Sequence, residues 1–512
     1  MSTNRNRRDF LRAGGLILAA PALVLSACVR TRVDADPFTL GVASGSPLPD
    51  GVVIWTRLAP DPLHGGGLAP TPVSVQWEIA PDENFRAIAR RGVAVAEPQY
   101  AHSVHVEVNG LEPDRWYWYR FMVGAAKSPI GRTRTTPRPD ALGAWRFAFA
   151  SCQQYEQGYY AAHRHMAEED LDLVVFLGDY IYESSWGKNH VRKHEASEPF
   201  TLEQYRNRYA RYKSDPDLQR CHARFPWIVT WDDHEVSNDY ANDRSEKLDP
   251  NFLARRAAAY QAYYEHMPLR AAAQPRGANM RLYDHYDFGR LARFYMLDDR
   301  QYRSYQACQP AGRGGGSTVD VCSERVDESR TMLGLEQETW LRTRLGDSRA
   351  RWNVIAQQTL MAQFDRAANG NPRFWTDGWD GYPAARRRLL EDVVRQRAQN
   401  PIVIGGDIHT HVVSDLKLNF DDPQAPVAAT EFCATSITSE GAQRTYYETR
   451  RARNPHVKLA RSDKRGYTTV HLASGRARVR LRAIEDEKDA QTAVTTLAQF
   501  TVVDGTPGAV LE

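Results

Sequence analysis

The stretch from Arg146 to Glu183 constrains this chain more than any other. It opens on Arg-Phe-Ala-Phe-Ala, a short alternating apolar run that ends at Ser151-Cys152. It closes on Leu-Val-Val-Phe, a continuous run of β-branched and aromatic residues that ends at Leu177-Gly178-Asp179. Runs of this length and composition read as buried strands. Between them GYYAAHRHMAEED carries a helical pattern, so the stretch predicts a β-α-β unit with parallel strands. Ligands of open α/β sheets collect outside the carboxyl ends of the strands. A thiol, a carboxylate and a phenol (Cys152, Asp179 and Tyr182) are delivered there, and all three can bind metal. A core cysteine and a turn-capping aspartate would look the same, so this segment alone leaves both readings open.

The 512 residues suggest two or more domains. A hydrophobic content of 42% against 25% charged residues supplies an ordinary globular core. The formal charge of +3 is concentrated in the first 27 residues, where Arg5, Arg7, Arg8 and Arg12 face only Asp9. The remainder is close to neutral, which points away from a nucleic-acid partner. Arg7-Arg8 followed by Phe10-Leu11 reads as a twin-arginine export signal over residues 1–28, with the twin-arginine translocase as partner during export. The apolar run Ala13 to Ala27 is short and Gly/Ala-rich for a membrane span, a short anchor being the alternative. Leu25-Ser26-Ala27-Cys28 resembles a lipobox, which makes Cys28 a lipidation candidate. Ordinary signals also carry small residues before the cut. The expected location is periplasmic or extracellular, with membrane contact only if Cys28 is acylated. Cys308 and Cys322 bracket a Gly-rich loop and are expected to form a disulfide in such a compartment. Cys221 and Cys433 read as small core residues.

From Phe38 to about Thr136 apolar and polar residues alternate in FTLGVASG, GVVIWTRL, VSVQWEIA, HSVHVEVNGL and RWYWYRFMV, with turn signals between them. GLEPDRWYWYRF resembles the signature of fibronectin type III domains, and the spacing predicts a β-sandwich. TTPRPDALG is a Pro-rich linker. From Arg146 the texture is α/β. Strands are expected at WIVTW, LARFYM, WNVIA, PIVIG, VRLRAI and AQFTVV, and helices at FLARRAAAYQAYYEHM, LEQETWLRTRL and YPAARRRLLEDVVRQRA, where Pro383 suits a helix start.

Four strand ends deliver Cys152; Asp179 and Tyr182; Asp232, Asp233, His234 and Asn238; and Asp407, His409 and His411. Such a set argues for one site at the C-terminal edge of one sheet. In Gly-Asp-x-x-Tyr the Asp leaves the strand and the Tyr returns one turn later, so both reach one ion and the Asp can bridge to a second. Two ions about 3.5–4 Å apart clamp the attacking and leaving oxygens of a phosphoryl centre.

Gly178-Asp179-x-Ile181-Tyr182, Trp231-Asp232-Asp233-His234-Glu235 and Gly406-Asp407-Ile408-His409 resemble the motifs of calcineurin-like metallophosphoesterases. The ordered set ASC, LGDYIYE, WDDHE, LDDRQYR, QQ, WDGYP and GGDIH is similar to the PhoD-type alkaline phosphatase and phosphodiesterase branch, over nearly the whole chain. The resemblance implies an α/β protein. An immunoglobulin/fibronectin III-like β-sandwich (38–137) would be followed by an αββα metallophosphoesterase domain (144–505). It further implies Fe³⁺ held by Cys152, Asp179, Tyr182 and His409, with Asp179 bridging to Ca²⁺ held by Asp233, Asn238 and Asp407. An oxygen-only second set favours calcium over zinc. Gln357-Gln358 stand where the wider superfamily places a metal-binding His.

His234 is the candidate to stabilise or protonate the leaving oxygen, the alternative being a satisfied core His. Arg300 is the candidate clamp on phosphate oxygens, the alternative being an ion pair with Asp298 or Asp299. The expected activity is hydrolysis of phosphate monoesters and/or diesters, in which a hydroxide held between the ions attacks phosphorus. The alternatives are a phospholipase D-like phosphodiesterase and a non-catalytic surface lipoprotein. Loops 183–226 and 303–330 are expected to shape the mouth of the site. His190-x-x-x-His194 reads as a surface loop, AGRGGGST lacks the Lys of a P-loop, and RNRYARYK reads as a solvated helix face.

Overall fold

The computed structural model describes residues 35–512, so the twin-arginine leader and Cys28 lie outside the described residues. Its body is two large sheets stacked face to face with helices outside each. The ten-stranded sheet runs from Thr506–Leu511 at one edge through Val494–Val503, Arg476–Ile484 and Gly466–Ala473. It continues through the parallel strands Trp145–Ala150, Leu173–Leu177 and Pro226–Thr230 to Val42–Leu48, Gly51–Arg57 and Ser103–Asn109. The seven-stranded sheet holds the parallel strands Ala292–Met296, Trp352–Ala356, Pro401–Gly405 and Val427–Cys433. It is flanked by Asp284–Phe288 at one edge and by His411–Lys417 and Val457–Arg461 at the other.

This layering explains the unbroken apolar runs. Side chains of a strand alternate between faces. Val174 and Phe176 point to one core, shared with helices Ala161–Glu168, Leu202–Lys213, Pro216–Arg224 and Phe252–His266. Leu173, Val175 and Leu177 point to the other, against Phe294, Val354 and Ile404 of the second sheet. On the far side of that sheet Ile355 and Val403 meet helices Gly334–Gly346 and Pro383–Arg395 through Leu341, Leu345 and Leu389. Each fully buried side chain of this kind is worth about 1.5–3 kcal/mol.

A five-stranded sheet built on Val73–Ala80, Arg90–Ala96 and Trp116–Val123 faces the first strands of the chain, with Val52, Ile54, Val75, Val106, Tyr119 and Phe121 between the two layers. The second layer of this sandwich is continuous with the ten-stranded sheet, because Ser44 and Gly45 pair in parallel with Pro226 and Trp227.

Three expectations are corrected. The chemistry-bearing strand ends belong to two sheets, not one: Cys152, Asp179 and Asp232 follow strands of the ten-stranded sheet, and Asp407 follows one of the seven-stranded sheet. A strand buried on both faces looks the same under a helix as under a second sheet. The basic segment 206–213 is not a solvated face. Arg208 and Lys213 are buried, and Arg208 donates to the carbonyls of Tyr182 and Glu183 behind the site. His194 is also buried, 2.9 Å from the Tyr212 hydroxyl, whereas His190 is exposed.

Gly178 shows how tightly two strand ends meet. Its φ is +101°, and an added Cβ would lie 2.4 Å from Cβ of Asp232. Gly178→Ala is expected to lower unfolding stability by about 1–3 kcal/mol. Gly143→Ala, whose methyl meets nothing within 4 Å, stays within about 0.5 kcal/mol of the parent. Denaturant unfolding of both variants checks this, and equal midpoints would contradict it.

Candidate metal centre

The two sheets aim their carboxyl ends at one cavity of about 410 Å³, lined by Asp179, Glu183, Trp186, Asp233, His234, Asn238, Asp407 and His409 among others. A larger cleft of about 1070 Å³ lies at the linker and the strand Asp284–Phe288. Two of its aspartates, Asp287 and Asp347, are paired with Arg293, and among the described residues no three of its donors converge as they do in the smaller cavity.

The backbone turns sharply at each donor. Cys152, Asp179, Asp407 and His409 all adopt left-handed conformations, with φ between 52° and 62°. Non-glycine residues hold such angles where the surroundings impose them, and functional sites are where they cluster. Glu235 holds the turn at Asp179. Its carboxylate accepts from the backbone N–H of Asp179 (3.1 Å), Tyr180 (2.6 Å) and Asp232 (2.8 Å), tying two strand ends together.

Ligand atoms of Cys152, Asp179 and His409 lie within 4.8 Å of one another. The Tyr182 hydroxyl joins them, 2.7 Å from Asp179 Oδ2 and 3.3 Å from His409 Nε2. His409 Nδ1 sits 2.6 Å from the Glu440 carbonyl, which can only accept, so Nδ1 carries the proton and Nε2 presents its lone pair to the cavity. Burial, then Arg465, holds the His409 pKa down to about 3. On the other side Asp233 Oδ2 accepts from the Asp239 N–H at 2.6 Å, and Asp407 Oδ2 from Thr359 Oγ1 at 2.6 Å. Asn238 spends its amide donor on Glu246 Oε2 at 3.0 Å, which leaves Oδ1 as the acceptor on the cavity wall.

The set is starved of positive charge. Burial, then neighbouring carboxylates, raises Asp179 well above its usual range despite His234, and burial raises Asp407 to about 6. Asp179 Oδ1 and Asp232 Oδ2 are buried with no hydrogen-bond partner. Buried carboxylate oxygens are rarely left so, and cations are what this arrangement lacks. The donors therefore fit metal ions: sulfur, phenol, imidazole and carboxylate on one side, and oxygen alone on the other. Gln357 and Gln358 stay out of the cavity. Gln358 is buried, its amide donating to Thr230, Trp231 and Leu297 and accepting from the Asp299 N–H.

His234 is not a passive core residue. Its Nδ1 is 2.7 Å from Glu183 Oε2, and its ring packs on Tyr182 with centroids 4.1 Å apart. Burial opposes its charge, but Glu183 and Asp233 raise its pKa well above the usual value.

Arg300 does not line the cavity as a phosphate clamp would. It is 1% exposed and lies beneath the carboxylates. Its Nε donates to Asp232, its Nη1 to Asp377 at 2.7 Å, and its Nη2 is 3.6 Å from Asp233. Arg300 is therefore a buried ion-pairing residue, but its partners are Asp232 and Asp377 and not the expected Asp298 or Asp299. The Asp298 carboxylate accepts from the Arg300 backbone N–H, from Trp231 Nε1 and from Gln301, and not from the Arg300 guanidinium. His411 also lies outside the centre, opening the strand His411–Lys417. Cys308 and Cys322 are bonded, and Cys221 and Cys433 are buried thiols. Glu183, Glu235 and Asp377 were not singled out in the sequence, although Glu183 and Glu235 close the LGDYIYE and WDDHE motifs.

Two stacked sheets with a donor-lined cavity at their carboxyl ends define a metallophosphoesterase-like protein. The PhoD-like phosphatase family model matches residues 147–481, and the model of that family's N-terminal domain matches 23–137. The chain is 45% identical to alkaline phosphatase D of Bacillus subtilis (strain 168), over 97% of this chain and 87% of that protein. A solved structure of PhoD superposes with a TM-score of 0.90 at 46% identity, covering 94% of this chain and 93% of that one. A purple acid phosphatase from yellow lupin (Lupinus luteus) seeds shares the fold, with a TM-score of 0.57 at 10% identity over 90% of this chain and 74% of that one. The chain belongs to the PhoD-like phosphatase family. It is a phosphoric ester hydrolase, and the non-catalytic alternative is set aside.

The buried position of Arg300 generates a prediction. Arg300→Met would leave Asp232 without its cation and Asp377 with Arg303 alone, and breaking a buried pair of this kind costs about 3–5 kcal/mol. The variant should lose that stability in denaturant unfolding and lose bound metal with it. A fully stable variant with only a raised KM would restore the clamp reading.

Proposed function

We propose that the chain is an exported phosphoesterase that works with one ferric ion and calcium, hydrolysing phosphate monoesters or diesters. The observation that carries this reading is Asp179. One of its carboxylate oxygens is bound by Tyr182 and the other is buried and unpartnered, and it stands between a sulfur-phenol-imidazole set and an oxygen set. Cys152, Asp179, Tyr182 and His409 would hold iron, and a thiolate with a phenolate suits Fe³⁺. Asp233, Asn238 and Asp407 would hold calcium, which favours hard oxygen donors. When bound, the two ions supply Lewis acidity at the phosphoryl oxygens and lower the pKa of water between them.

The protein's own groups supply the rest. Glu183 fixes the His234 ring and favours its protonated form, so the nitrogen not held by Glu183 can give a proton to the leaving oxygen. Asp233 is kept ionised: burial opposes its charge, but Arg300 and His234 hold its pKa well below the usual range. Lys247 at the rim, with a 72% exposed side chain 3.4 Å from Glu198, places an ammonium group where an anionic ester enters. The Arg7-Arg8 leader supports export in the folded state, which suits a protein that must load metal first, and acylation of Cys28 would decide membrane contact.

Titration with EGTA tests the metal assignment while turnover of a chromogenic phosphate monoester and a matching diester is followed with bound iron and calcium. Calcium and activity should fall together while iron stays. Added Ca²⁺ should restore turnover and Zn²⁺ should not, since zinc prefers tetrahedral nitrogen and sulfur ligands. Full activity with all calcium gone would end the calcium assignment. The ratio of the two rates separates a phosphatase from a phospholipase D-like diesterase.

A further inference from the structure

The Gly-rich segment between Cys308 and Cys322 has no phosphate-binding Lys and lines no part of the cavity. It does press against the back of the cavity wall. Arg313 Nη2 donates to Glu246 Oε1 at 2.9 Å, and the Gly314 N–H donates to the Glu246 carbonyl at 2.9 Å. The other oxygen of the Glu246 carboxylate holds the Asn238 amide at 3.0 Å. The Gly316 N–H donates to Asp239 Oδ2 at 2.8 Å, and the Asp239 N–H in turn binds Asp233 Oδ2 at 2.6 Å. Two short relays thus run from the loop to two oxygen donors of the proposed calcium set.

The glycines are there for contact. A Cβ on Gly315 would come 2.7 Å from Glu246 Cγ, and one on Gly316 would come 2.6 Å from Asp377 Cβ. The loop is closed at its base by the Cys308–Cys322 bond, and beyond its tip Thr318–Val319 pairs with Phe374–Trp375. The run Gly314-Gly315-Gly316-Ser317 would otherwise leave the tip many conformations, and a crosslink removes most of that freedom.

We propose that the loop 308–322 is a disulfide-locked clasp that positions Asn238 and Asp233 to receive calcium, so that oxidation of this thiol pair completes the oxygen-donor half of the site. The proposal rests on the calcium reading above. In the oxidation each sulfur gives up its proton and the S–S bond forms. The two electrons reduce the disulfide of an exchanging oxidant to two thiols. The iron half, whose Cys152 is a separate buried thiol, does not depend on the bond.

The test uses the full chain purified with its iron and freed of calcium by EGTA. Calcium binding is measured calorimetrically for the parent, Cys308→Ser/Cys322→Ser and Arg313→Ala, and amide exchange of residues 238–246 is followed in the same samples. Both variants should bind Ca²⁺ roughly tenfold more weakly, the size expected for losing one or two supporting hydrogen bonds. They should also exchange faster over 238–246 while keeping the parent's visible absorption. Should the double variant fail to fold, Arg313→Ala, which keeps the bond, carries the same test. Parent-like calcium affinity and exchange in the variants would overturn the clasp. A parent that binds no calcium would instead defeat the calcium reading, and the exchange rates would still decide whether the loop orders the wall.

Discussion

Asp179, Asp232 and Asp233 are buried in one place with Asp407 half-buried beside them, and the cations among them are shared, Arg300 with Asp377 and His234 with Glu183. Concentrating carboxylates away from water is costly unless cations or hydrogen bonds offset it. The surrounding structure meets that cost in part. Arg300 lies under the cluster, the Asp239 N–H binds Asp233, and Thr359 supports Asp407. What is left over, including a bare carboxylate oxygen on Asp179, is a demand for positive charge that metal ions would meet.

The same demand accounts for the architecture. A single sheet edge offers donors from one side. Stacking two sheets brings a second set over the first, so that Asp407 and His409 face Cys152 and Asp179 across the cavity. The left-handed turns at all four residues follow from forcing side chains inward just where the strands stop. The outer wall, carrying Asn238 and Asp239, belongs to no sheet and is backed by the loop 308–322, which explains why a segment that lines nothing lies so close to the chemistry.

Much of this was legible in the residues. Leu173–Leu177 and Pro401–Gly405 read as buried strands because apolar runs of that length have few other uses, and each marks its donors by position. The donor set Cys152, Asp179, Tyr182, Asp233, Asn238, Asp407 and His409 was named from the motifs, and the structure brings all seven to one place. What the sequence hid is depth and partnership. Nothing in LDDRQYR tells whether Arg300 points into a cavity or under it, since a guanidinium serves either use. Arg208 looked solvated because its neighbours are charged, yet it caps carbonyls behind the site. Glu183 was visible only as a motif's last letter until its 2.7 Å approach to His234 gave it a role.

In the proposed function the sulfur-phenol-imidazole half of the cavity would hold iron and the oxygen half calcium. The most direct measurement is anomalous X-ray diffraction, at energies either side of the iron edge, on crystals of protein purified from its own exported fraction. The account predicts an iron-specific peak bounded by Cys152 Sγ, the Tyr182 oxygen, His409 Nε2 and an Asp179 oxygen. A second, non-iron peak should lie toward Asp233, Asn238 and Asp407. An iron peak among the oxygen donors, or zinc in place of iron beside Cys152, would contradict it.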